Sequence, residues 1–164
     1  MGRASSKKVV QVLNDVLCAE LTAINQYMVH AEMCRDWGYE ALYGQIRREA
    51  IDEMRHAEWL IERVLFLKGI PAVQKLGKIL IGETVKEQLT SDLRIEHDAQ
   101  GRLNEGIAVC QAERDNGSRE LLEKILVSEE EHINWIESQL ELIEQVGEPN
   151  YLAQQIKPKV APAG

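Results

Sequence analysis

Thiols are few in this chain. Its three cysteines, Cys18, Cys34 and Cys110, are odd in number and far apart, with no CxxC pair among them. That argues against a disulfide framework or a Cys-rich zinc site and favours a reducing cytoplasm. No apolar run approaches the length that spans a bilayer, and the N-terminus lacks a secretory apolar region, so no membrane partner is expected. The opening "MGRASS" meets the myristoylation pattern formally, but so short a motif is easily met by chance. A basic excess is missing too: 19 Lys and Arg against 27 Asp and Glu leave a formal net charge of −8. Nucleic acid is therefore not expected as a partner, since neutralising its phosphates needs a basic face. An acidic surface suits cations instead. Proline is scarce (four residues) and phenylalanine is single, while Glu, Leu, Ala, Lys and Gln abound, which favours helix over sheet.

At 164 residues, with 45% hydrophobic and 28% charged residues, the composition is that of one globular domain with a sizeable core. The domain is expected over 1–157, followed by a loose tail over 158–164 ("PKVAPAG"). Helical periodicity runs from about Ser6 to Arg35 through Leu13, Val16, Leu17, Leu21, Ile24 and Met28, and "DWGY" breaks it. A second helix is predicted from about Tyr39 to Lys68, stopped by "KGIP" with Gly69 as its C-cap. Residues 69–83 read as a long connection. Thr84 and Glu87 predict a capping box at the start of a third helix. That helix is expected to end near "RDNGS", where Asn116–Gly117 is a turn signal. A fourth runs to about Val146 before "GEPN", and "NYLAQQIK" suggests a short fifth. Short turns after the first and third helices, with a long link between the pairs, predict an all-α four-helix bundle with one long crossover.

Each long helix carries a carboxylate inside its own apolar stripe: Glu20, Glu53, Glu96 and Glu129. His56 and His132 follow the second and fourth of these by three residues. The interval from Glu20 to Glu53 equals that from Glu96 to Glu129, and both midpoints fall near the predicted turns. In antiparallel hairpins, residues equidistant from the turn lie at one height, here ~25 Å up at 1.5 Å per residue. The two halves thus repeat one pattern and bring four carboxylates and two imidazoles together. No Lys or Arg falls on the inward stripe at that level, and an empty, fully charged cluster would be prohibitively costly. Two divalent cations would neutralise it, with Glu53 and Glu129 bridging. Carboxylate and imidazole without thiolate favour iron or manganese.

"ELTAINQYMVH", "IDEMRHAE", "ERVLFLKGIP", "LGKILIGE", "SDLRIE", "SEEEHINWIESQLELI" and "NYLAQQI" together resemble the bacterioferritins of the ferritin-like superfamily, in that family's order. The resemblance implies di-iron ligation by Glu20, Glu53, His56, Glu96, Glu129 and His132, two irons per subunit. It implies ferroxidase activity, oxidising Fe(II) with dioxygen or hydrogen peroxide and storing ferric mineral inside a cytoplasmic homo-oligomeric shell of 24 subunits built from dimers. Met54 is turned ~100° from Glu53 and cannot join that cluster. On periodicity alone it is a surface or packing residue, but the resemblance makes it a ligand of haem b shared between two subunits. Leu21, Ile24, Asn25, Met28 and Ile51 would lie near that haem, with a ferredoxin supplying electrons for iron release. The resemblance also makes Tyr27 an electron donor to the di-iron centre, beside the plainer role of core packing. Where some relatives have an inner-surface iron-binding His, this chain has Arg48, although Asp52 remains. His97, Glu130 and Glu131 read as surface residues and His30 as structural or interfacial. The alternative is a non-storing di-iron oxidase or peroxidase of rubrerythrin type, though the CxxC…CxxC iron domain of that family is absent here. A third possibility is a structural or haem-carrying subunit assembled with a catalytic one.

Overall fold

The computed structural model describes residues 6–157. The tail expected over 158–164 and the "MGRAS" start lie outside the described residues. Five helices follow in order: α1 (Lys7–Asp36), α2 (Glu40–Phe66), α3 (Val85–Ala112), α4 (Asn116–Val146) and the short α5 (Glu148–Ala153). Among the described residues there is no strand, and no helix is long and apolar enough to cross a membrane. α1 packs most extensively on α2 and α3 on α4, giving two hairpins, which meet mainly through α1 and α3. Of the four adjacent helix pairs, α2 and α4 approach each other least closely. The bundle and its single crossover are those expected from the sequence.

The ends of the helices differ from expectation in two places. The left-handed residue closing α2 is Lys68 (φ 61°), not Gly69. Gly69 is needed for another reason: a Cβ there would come within 2.7 Å of Val10 Cγ1. Likewise the turn between α3 and α4 bends at Arg114 (φ 56°), while Asn116 and Gly117 already belong to the first turn of α4. Asp115 decides this, because its Oδ1 accepts from the Ser118 N–H at 3.0 Å and so caps α4. Arg63 from α2 donates to both Asp115 (2.8 Å) and Ser118 (2.9 Å), tying that turn to the neighbouring hairpin. At Thr84 the predicted cap forms: its hydroxyl accepts from the Glu87 N–H at 3.2 Å, and Glu87 reaches back to the Glu83 N–H at 2.8 Å.

Having no secondary structure of its own, the crossover needs partners for its backbone. One stripe of α1 supplies them. Asn14 accepts from the Ala72 N–H (2.9 Å) and donates to the Ile70 carbonyl (3.1 Å). Thr22 accepts from Gly77, Gln26 from Leu80 (both 2.9 Å) and His30 Nε2 from Gly82 (3.0 Å). The pairings advance together along both segments, so the crossover runs parallel to α1 for ~24 Å at 1.5 Å per helical residue. It therefore delivers α3 antiparallel to α1. Because His30 Nε2 accepts a hydrogen bond, its Nδ1 carries the proton and donates to Asp92 at 2.8 Å. His30 is thus structural, one of the two roles left open by the sequence.

The core is split in two. One apolar cluster gathers Leu13, Leu17, Leu60, Val64, Leu103, Leu122 and their neighbours near one end of the bundle. The other gathers Ala31, Leu42, Ile46, Leu89, Ile136 and Ile143 near the opposite end. Between these clusters, at the level of residues 20, 53, 96 and 129, lies a layer of buried polar side chains.

Candidate metal centre

The polar layer is formed by the six residues that the spacing selects. Glu20, Glu53, Glu96 and Glu129 are at most 2% exposed, His56 is 3% exposed and His132 6%. α1 and α3 each contribute one carboxylate, while α2 and α4 each contribute a Glu and a His one helical turn apart. The two ExxH pairs lie on α2 and α4, the adjacent long helices that pack least extensively on each other. Two groups of ligand atoms result, Glu20–Glu53–His56–Glu129 and Glu53–Glu96–Glu129–His132, and within each group all atoms lie within 4.8 Å of one another. Glu53 and Glu129 belong to both.

Both imidazoles present Nδ1 to the centre. His56 Nδ1 lies 3.4 Å from Glu20, 3.3 Å from Glu53 and 3.2 Å from Glu129. His132 Nδ1 lies 2.9 Å from Glu53, 3.3 Å from Glu129 and 3.6 Å from Glu96. The His132 separations are within ion-pair range, yet its Nδ1, with Glu20 Oε1, Glu53 Oε1 and Glu129 Oε2, forms no aligned hydrogen bond. Alignment is the stricter criterion, because a bond bent far from linear is weak. These atoms converge on shared points without satisfying one another. A divalent cation with oxygen and nitrogen ligands fits such a donor set, as it completes every lone pair at once.

The cluster's charge is held down by protons. Burial, then Glu53 and Glu129, push the Glu20 carboxyl far above its usual range. Burial, then Glu129 and Glu53, do the same for Glu96. Burial would also raise Glu129, but the adjoining His132 and His56 imidazoles outweigh it and hold Glu129 well below the usual range. Burial works against the charged form of His56, yet Glu129 and Glu53 lift it to about 9, and His132 is raised for the same reason. A cation entering here displaces protons from Glu20, Glu96 and both rings.

Tyr27 is fully buried, and its hydroxyl donates to Glu96 Oε1. Burial foremost, with the Glu96 carboxyl beside it, keeps its phenol protonated. Met54, by contrast, is 47% exposed, on a different face of α2 from Glu53. Glu130, Glu131, His97 and Arg48 are all exposed. The sequence reading passed over Glu49 and Asp92, both buried. Each stands four residues before a cluster carboxylate, so the same helical spacing marks them. Gln45 donates to Glu49 at 3.1 Å, and Asp92 takes bonds from Gln26 and His30.

The ferritin-like domain model matches residues 10–146. Bacterioferritin from Mycobacterium bovis is 48% identical over 146 residues, covering 89% of this chain and 92% of that protein. This chain belongs to the bacterioferritins. Other members match as well: Mycobacterium tuberculosis bacterioferritin BfrA is equally similar over the same extent. The bacterial ferritin of Synechocystis is 46% identical over 149 residues, covering 90% of this chain and 96% of its own. Membership agrees with the all-α bundle and its short C-terminal helix.

Proposed function

We propose that this bacterioferritin oxidises Fe(II) at the Glu–His layer and stores the product as ferric mineral inside a cytoplasmic 24-subunit shell. The supporting observation is the pair of overlapping ligand groups that share Glu53 and Glu129. Two Fe(II) ions enter as substrate, one to each group. Each gives one electron to dioxygen, which with two protons becomes hydrogen peroxide; alternatively, hydrogen peroxide takes two electrons and two protons and becomes two waters. Carboxylates suit the harder ferric product better than the ferrous substrate, which gives the reaction direction. Protons displaced from Glu20, Glu96 and the imidazoles are available at the point where they are consumed. Tyr27, an oxidisable side chain, is bonded to Glu96 on that half of the centre.

Met54 fits the haem reading, since it places a soft thioether on an exposed face of α2 where a second subunit can meet it. Haem b held there by Met54 from each of two subunits would supply one-electron reduction for iron release, with a ferredoxin as electron source. Stopped-flow oxidation of two Fe(II) per chain tests the centre. Glu20→Ala and His132→Ala are expected to slow it by at least ~10-fold, by analogy with the loss of metal-site partners. Wild-type rates in both variants would overturn the assignment. Sedimentation separates a storage shell from a rubrerythrin-type dimer, because the shell is many times heavier.

A further inference from the structure

A cleft of about 240 Å³ lies between α1, the crossover and α3, and none of the six metal-layer residues lines it. At ~30 Å³ per water it has room for roughly eight waters, or for a small hydrated ion. Three cations line it, Lys78, Arg94 and Arg102, against a single carboxylate, Asp98. That balance is opposite to a chain whose net charge is −8. We propose that this cleft binds a small tetrahedral oxyanion of the phosphate class.

The three cations are not equivalent. Arg102 is anchored: its Nε pairs with the Asp98 carboxylate at 2.9 Å and its Nη1 donates to the Asp15 carbonyl at 3.0 Å. Asp98 is thereby neutralised, and the guanidinium is fixed in the cleft wall. Arg94, Asp98 and Arg102 follow one another at four-residue spacing, so both guanidinia stand on one face of α3. Arg94 and Lys78 have no carboxylate within ion-pair distance among the described residues. Lys78 also springs from a fixed backbone, because Gly77 is held by Thr22 and Leu80 by Gln26 on either side of it. Fixing the segment before a ligand arrives lowers the ordering cost of binding. The one hydroxyl proton of Thr22 goes to the Cys18 carbonyl, so it has none for an anion, and recognition falls to the three cations. Guanidinium forks match the paired oxygens of phosphate, and the ammonium adds a point charge.

The cleft between α2 and α4 shows what an engaged set of cations looks like. There Lys124 lies 3.8 Å over the Trp59 ring, and Arg63 is bound to Asp115 and Ser118. Nothing comparable occupies Arg94 or Lys78.

Equilibrium dialysis of radiolabelled inorganic phosphate against chelator-treated, mineral-free protein, at constant ionic strength set with chloride, tests the assignment. Saturable binding of one phosphate per chain is expected, displaced by sulfate. Binding should weaken at least 10-fold in Lys78→Gln/Arg94→Gln and persist in the charge-retaining Lys78→Arg/Arg94→Lys. Both double variants are checked for wild-type helicity and assembly size. Phosphate uptake that is unsaturable, or equal in wild type and the Gln variant, would overturn the proposal.

Discussion

The two halves of the metal layer repeat each other in sequence and part company one shell out. On the first half, His56 packs against Trp59, with ring centroids 5.6 Å apart and planes inclined by 39°. The Lys124 ammonium lies over that same indole. On the second half, His132 turns its outer nitrogen, Nε2, to Asp52 at 3.6 Å, and the Asp52 side chain is 40% exposed. Glu49 is buried nearby, and Tyr27 bonds the carboxylate Glu96 on this side. An aromatic wall backs one imidazole, while a partly hydrated carboxylate backs the other. The duplication sets where donor atoms point; the unrepeated surroundings set how readily each half exchanges protons and cations with water.

The largest effect comes from removing what the halves share. Glu129→Ala takes a ligand from both groups, whereas Glu20→Ala takes one from the first group alone. Losing a group that hydrogen-bonds a metal ligand costs ~10–100-fold in affinity, and losing a ligand shared by both ions should cost more. Calorimetric titration of chelator-treated protein with Co(II) should show two tight sites in wild type, one in Glu20→Ala and none in Glu129→Ala. A tight site surviving in Glu129→Ala would break the picture of two halves joined by a common carboxylate.

How much of this was readable beforehand follows the same division. Periodicity placed Glu20, Glu53, His56, Glu96, Glu129 and His132 on inward stripes, and equal spacing around two turns put them at one height; the structure brings all six together. A pattern of this kind survives small errors at helix ends. The ends themselves were less legible: Gly69 and Asn116–Gly117 carry turn propensity, but Lys68 and Arg114 take the left-handed conformation. Packing against Val10 and capping by Asp115 outweighed local preference there. The ladder from Asn14, Thr22, Gln26 and His30 to the crossover was hidden for another reason. Its acceptors are backbone groups in a segment without periodicity, so no residue type announces them. Asp52 and Trp59 were beyond reach because which side chain backs an imidazole depends on interhelical geometry, not on spacing along one helix.

A smaller effect sharpens the contrast between the imidazoles. Asp52→Asn removes the charge behind His132 and should weaken Co(II) at the second site by ~10-fold while sparing the first. Trp59→Phe keeps an aromatic wall behind His56 and should alter the first site by less than that. Equal losses at both sites in Asp52→Asn would mean that the halves are coupled too tightly to be treated separately.

The smallest effect concerns Glu49, which makes the second half the more sensitive to pH. Burial pushes its carboxyl up to about 8 from an ordinary 4.5, despite the opposing His132 charge and the Gln45 hydrogen bond. A carboxyl raised on folding means that the native state holds more protons than the unfolded chain between those two values. Stability therefore falls as pH rises through that window and is unaffected by this group below it. Glu49→Gln removes the ionisation and keeps the shape. In chelator-treated protein it should match wild type near pH 4 and exceed it near pH 9 by up to a few kcal/mol, or up to roughly 10 °C in unfolding midpoint. His56, raised to about 9, contributes a loss of stability of the same sign above its ordinary 6.5, so some decline with pH remains in the variant. If Glu49→Gln leaves the whole pH dependence unchanged, the decline belongs to the shared layer, and the second half has no proton reservoir of its own.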